Sequence, residues 1–168
     1  MTPRSPLHGL GAALLAALVA TAALAPVAAA RTGLPLPRFA SLRAGEVHVR
    51  TGPGERYPID WVFVYRNMPV EIVAEFDTWR KIRDWQGTEG WVHQSMLSGR
   101  RMVIVQGGLQ PMRRAPAGDA PMVARVEPKV LGRLLECAGA WCRVQVAGFT
   151  GWMQRRQFWG VYDTEEIK

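Results

Sequence analysis

Hydrophobic residues recur at every second position along much of this chain, and no stretch of the candidate folded region shows a convincing helical period. Val47 and Val49 alternate with His48 and Arg50, as in a short strand with one buried face. Ile59 to Tyr65 and Val70 to Phe76 are β-rich runs, with Asn67-Met68-Pro69 as the turn between them. Asp77-Thr78 marks a second turn. Trp79, Lys81 and Arg83 then alternate with Arg80, Ile82 and Asp84, which leaves Ile82 as the plain core position. Gln86-Gly87-Thr88 turns the chain into a last strand, where Gly90 leads Trp91 into the core. Gln94 to Leu97 fits one 3₁₀ turn. These elements predict an all-β chain of short strands.

The pattern then starts again. Moving Arg38 to Leu42 on by 63 positions gives Arg101 to Val105, and the same step takes Gly45 to Gly108, Arg50 to Arg113 and Pro53 to Pro116. After small slips Trp79 matches Trp141, Gly90-Trp91 matches Gly151-Trp152, and Gly99 matches Gly160. Ordered matches of this kind predict two similar units. The join at Ser98-Gly99-Arg100 is short, so the units should pack on each other rather than swing. Met102 to Val105 is apolar enough to lie in that shared interface. In the second unit Pro111 to Pro121 reads as a loop. Met122 to Val126, Val130 to Cys137, Trp141 to Val146 and Thr150 to Met153 read as strands. Glu165-Glu166 reads as a frayed tail.

The run Val47, Val49, Arg50, Gly52, Pro53, Tyr57, Pro58, followed late by Gly90, Trp91, Val92 and Leu97, resembles bacterial SH3-like (SH3b) domains. The second unit departs, with Met112 for Val49, Ala115 for Gly52 and no Tyr-Pro, but its Gly151-Trp152-Met153 still fits. The resemblance implies two tandem SH3-like small β-barrels, at 38–99 and 100–162, with a tail at 163–168. It also implies a secreted protein of the kind found chiefly in the Gram-negative periplasm.

The N-terminus fits a targeting role. Arg4 is the one charged residue of the first 30, Leu10 to Leu24 is apolar, and Ala28-Ala29-Ala30 offers small residues for a signal peptidase. Residues 1–30 are expected to be a cleaved signal peptide, with a retained membrane anchor as the other reading. Residues 31–37 are a mobile Pro-rich lead-in. The chain carries a net charge of +7, which suits wall polymers, lipid headgroups or acidic protein faces and equally suits solvated arginines. Export and the scatter of basic residues argue against nucleic acid.

Cys137 and Cys142 flank a tight turn at Ala138-Gly139-Ala140. Facing positions of a hairpin in an exported protein predict a disulfide, and the spacing matches neither redox nor zinc motifs. No nucleophile and base, metal cluster or phosphate loop stands out, and His48 and His93 fall at outward strand positions. The chain is therefore expected to be neither an enzyme nor dependent on a cofactor or metal. The candidate binding residues are Arg50, Arg56, Tyr57, Trp61, Trp79 and Trp85, since aromatic faces stack on sugars or apolar peptide groups and Arg pairs with carboxylates. Each could equally serve the barrel itself. The expected function is a non-catalytic envelope module recognising peptidoglycan or its stem peptides. The alternative is a periplasmic adaptor for an extended or Pro-rich peptide.

Overall fold

The same strand order is built twice. The computed structural model describes residues 32–168; the signal-peptide and anchor readings of residues 1–30 lie outside them. The first unit holds β1 (Arg38–Leu42), β2 (Val47–Arg50), β3 (Ile59–Phe63), β4 (Pro69–Phe76), β5 (Trp79–Arg83), β6 (Glu89–His93) and β7 (Leu97–Ser98). The second holds β8 (Met102–Val105), β9 (Gln110–Arg113), β10 (Met122–Val126), β11 (Leu131–Ala138), β12 (Trp141–Val146), β13 (Phe149–Gln154) and β14 (Phe158–Trp159). The antiparallel sheets run β3-β2-β6-β5-β4-β1-β7 and β10-β9-β13-β12-β11-β8-β14, so each strand of the second has its counterpart in the first. The helical elements among the described residues are two 3₁₀ turns, Gln94–Met96 and Arg155–Gln157. No helix among these residues is long and apolar enough to cross a membrane.

Period-two alternation builds each core. Val47, Val49, Ile82 and Val92 turn inward in the first unit, and Met112, Val144 and Met153 do so in the second. The turn before β4 recurs before β11. Asn67 N–H donates to Leu42 O at 2.9 Å, and Lys129 N–H donates to Val105 O at 2.8 Å. Both residues take a left-handed φ, 65° and 67°. Asn tolerates that conformation, whereas Lys bears its full steric cost.

Three expectations are corrected. Pro111 to Pro121 is not all loop, because β9 covers its start and pairs with β10. Met112 is fully buried at the Val49 position; its inward side chain outweighed the Pro-rich composition around it. The lead-in is not loose where it is described, since Thr32 Oγ1 donates to Glu75 at 2.9 Å. Nor is the C-terminal tail frayed. Cys137 N–H donates to Ile167 O at 2.8 Å, Glu165 pairs with Arg101, and Arg155 donates to the Tyr162 and Glu165 carbonyls. The tail stays down because it supplies acceptors to groups that are otherwise buried.

The units pack together as the short join demands. Phe39 meets Trp159 edge-on at 4.9 Å and Tyr162 at 4.6 Å, and Tyr162 Oη donates to Glu71 at 2.9 Å. Burial and the adjacent Glu71 carboxylate push the Tyr162 phenol above its ordinary range. All four residues of β8 are buried. Val103 and Val105 enter the second core, while Ile104 borders a cleft shared with Met68 of the first unit.

One pair of equivalent positions is solved in two ways. Glu75 faces Arg80 across β4 and β5, as Cys137 faces Cys142 across β11 and β12. The first unit places an ion pair there, Arg80 Nε to Glu75 Oε1 at 3.1 Å with both side chains buried. The second places the expected disulfide, with Cα atoms 4.1 Å apart. Cys137 spends its N–H on Ile167, so the cysteines form a non-hydrogen-bonded pair, the closer of the two antiparallel kinds. Replacing both cysteines by Ser should lower stability by about 2 kcal/mol, the value for so short a loop. The unfolding midpoint in denaturant measures this, and an unchanged midpoint contradicts it.

Candidate functional site

Alternation in β2 and β6 decides what lines a chemically varied groove on the first unit. Val47, Val49 and Val92 turn inward, so His48, Arg50 and His93 turn out. β5 adds Trp79, which lies directly across from His93 in the register. The indole and imidazole meet edge-on at 5.6 Å. Glu46, Glu55 and Met96 complete a hollow of about 210 Å³.

The imidazoles are fixed by neighbours. His93 Nδ1 accepts the Ser95 amide at 3.3 Å and lies 2.7 Å from Ser95 Oγ. An amide can only donate, so the neutral ring carries its proton on Nε2, free to donate to a ligand. His48 Nε2 lies 3.2 Å from Glu46 Oε1. The groove therefore combines one aromatic face, two imidazoles and two carboxylates. In the second unit Trp141 faces Gln154, and Pro111 stands at the His48 position, so both imidazoles are missing there.

The sequence-derived candidates separate in space. Arg50 and Trp79 share the groove. Arg50 is also a brace: its Nη1 donates to Glu55 O at 3.0 Å and Tyr57 O at 2.7 Å. Arg113 does the same in the second unit, donating to Ala120 O at 2.8 Å. Tyr57 packs its own loop. A Cβ on Gly52 would lie 2.4 Å from the Tyr57 ring, and the Arg56 guanidinium stands 5.2 Å from that ring's centre. Trp61 is 53% exposed on the edge strand β3. Trp85 borders the cleft between the units, about 390 Å³, with Val62, Tyr65, Met68, Ile104 and Leu131.

Trp91, expected in the core, is corrected, and with it Trp152, its match in the second unit. Gly90 and Gly151 are the buried residues, and each Trp beside them is half-buried on the outer face. A Cβ on Gly90 would come within 2.3 Å of Val49; the inward position has no room, so the indole takes the other face. Sequence reasoning left His48 and His93 out of the binding set. Their alternation with Val47, Val49 and Val92 was the signal that could have included them. Among the described residues no group of three or more His, Cys, Asp or Glu is placed to hold a metal ion.

Among curated protein sequences none matches this chain. Solved structures share limited likeness. NlpC2 from Trichomonas vaginalis is 11% identical with a TM-score of 0.36, over 77% of this chain and 50% of that one. An NlpC/P60 family protein from Bacillus cereus is 12% identical with a TM-score of 0.33, over 71% and 55%. The chain spans about half the length of these structures. The family model for the bacterial SH3 domain matches twice, over residues 43–99 and 106–160. With about two thirds of its length covered by these matches, and the same seven-strand order in each unit, the chain belongs to the bacterial SH3 domain family and carries two copies in tandem.

Proposed function

We propose that this protein is a non-catalytic module of the cell envelope that binds peptidoglycan, its glycan or its stem peptides, through the Trp79 groove. The observation that carries the reading is the groove itself, where a half-exposed indole stands beside the two imidazoles and the Glu46 and Glu55 carboxylates. A sugar ring packs its apolar face on an indole, and its hydroxyls and amides exchange hydrogen bonds with imidazole and carboxylate. The disulfide supports a place outside the reducing cytoplasm. Arg50 is the loop's brace, so it is not the residue to vary in a test of ligand contact.

Cosedimentation of the protein with protein-free sacculi is the test. The parent should bind saturably, and Trp79→Ala should weaken binding about tenfold or more, the scale of an aromatic hot spot. Trp141→Ala, at the equivalent place in the second unit, should bind as the parent does. Absence of binding at low salt would refute the reading and leave the adaptor alternative.

A further inference from the structure

β3 ends the first sheet on one side, with the two-residue β7 at the other end, and it is unusually apolar for an edge. Ile59, Trp61 and Val62 are exposed, as are Val64 and Tyr65, which follow it. An edge strand of this kind offers unpaired backbone groups and apolar side chains together, which soluble proteins normally avoid or use. The equivalent edge of the second unit is different. β10 exposes Met122 but buries Val126, and it carries Arg125 at an exposed position.

The residues along this edge are arranged to meet themselves. With Phe63 as the centre of an antiparallel pairing, Asp60 of one copy stands opposite Arg66 of the other, Trp61 opposite Tyr65, and Val62 opposite Val64. Every position therefore meets a complement: a carboxylate meets a guanidinium, an indole a phenol, and a β-branched residue its like. Such cross-strand pairs are the units that stabilise sheets. Asp60 and Arg66 are both exposed, and among the described residues their side chains make no hydrogen bond or ion pair. Arg66 stands in the turn closed by Met68 N–H to Tyr65 O at 3.3 Å, just past the strand, where its long side chain flanks the end of the pairing. Shifting the centre by one residue puts Asp60 opposite Val64 or Met68 and loses the charge match.

We propose that two copies of this chain associate through β3, antiparallel about a two-fold axis at Phe63, joining their first sheets edge to edge. The pairing is isologous, so each contact occurs twice and the assembly closes as a dimer. Trp79 lies on β5, so β2 and β6 separate it from this edge. A dimer would thus carry two grooves on one particle, and the proposal stands whether or not the groove binds wall polymer.

Sedimentation velocity over a micromolar concentration series tests it, with circular dichroism to verify each variant's fold. The parent should show a reversible monomer–dimer equilibrium. Asp60→Arg and Arg66→Asp should each raise the dimer dissociation constant about tenfold or more, because each places like charges opposite one another twice. The double variant Asp60→Arg with Arg66→Asp restores both pairs and should return to within about threefold of the parent, the scatter allowed for non-additive charge pairs. A parent that stays monomeric at high concentration would overturn the proposal and give the edge to a different partner. A dimer that survives both single variants would overturn it as well, and a double variant as weak as the singles would refute the Phe63 register.

Discussion

Glu75→Gln is expected to cost about 3–5 kcal/mol of folding stability at neutral pH, the scale for removing one partner of a buried ion pair. Glu75 is almost wholly buried and pairs with both Arg38 and Arg80. Arg80 spends its other donors on Asp77 O and Trp79 O at 2.8 Å each and on Gln94 Oε1 at 2.7 Å, so the guanidinium is held where only a carboxylate balances its charge. Gln keeps the shape and removes the charge, leaving two arginines facing each other inside the sheet.

The same group predicts a pH dependence. Burial raises the Glu75 pKa, but the hydrogen bonds from Arg38 and Thr32 outweigh it and hold the carboxyl below its ordinary value of 4.5. A carboxyl whose folded pKa is depressed stabilises the fold above its unfolded pKa, and loses that contribution as pH falls through the folded value. The gap between parent and Glu75→Gln should therefore be full at pH 7 and shrink below 4.5. Guanidinium unfolding at pH 7 and in acid checks both claims. A gap that is small at pH 7, or equal at both, refutes this account.

Gly160→Ala is expected to be the second large loss, about 3 kcal/mol from strain and overpacking together. Gly160 has a φ of 123°, where side chains are strongly disfavoured. A Cβ there would lie 2.4 Å from Met102 O and 3.1 Å from Val103 Cα, and both are backbone atoms that cannot rotate away. Gly160 O also accepts from Arg101 at 2.9 Å, beside the Arg101–Glu165 pair that holds the tail. Gly99→Ala is the control. A Cβ at Gly99 meets nothing within 4 Å, so its stability should stay within about 0.5 kcal/mol of the parent. Thermal unfolding of the two variants side by side is the measurement, and equal melting temperatures would refute the distinction.

Those two glycines show how far the sequence can be read. The repeat aligns Gly99 with Gly160, and by sequence they are one position. In the structure the chain runs through Gly99 in open space, while at Gly160 it bends against β8. A similar split separates Glu75–Arg80 from Cys137–Cys142. One register position holds an ion pair in the first unit and a disulfide in the second, and the cysteines alone announced themselves, because their hairpin spacing is local. Arg50 and Tyr57 were legible as a pair around one loop. Their use in bracing that loop depends on where its carbonyls and Gly52 come to rest.

The sequence by itself determined the all-β character, the two units, the short interface-forming join and the disulfide. Each of these follows from a local quantity: period-two alternation, a fixed offset between matching residues, or the number of residues in a turn. The tertiary structure decided which face each Trp takes, that His48 and His93 join Trp79 in one groove, and that the lead-in and tail are tied down. It also decided that β3 rather than β10 is the apolar free edge. Those outcomes rest on contacts between residues far apart in the chain, where the space left by Val49, the buried charge of Arg80 or an unfilled backbone acceptor selects one arrangement, and alternation alone leaves two open.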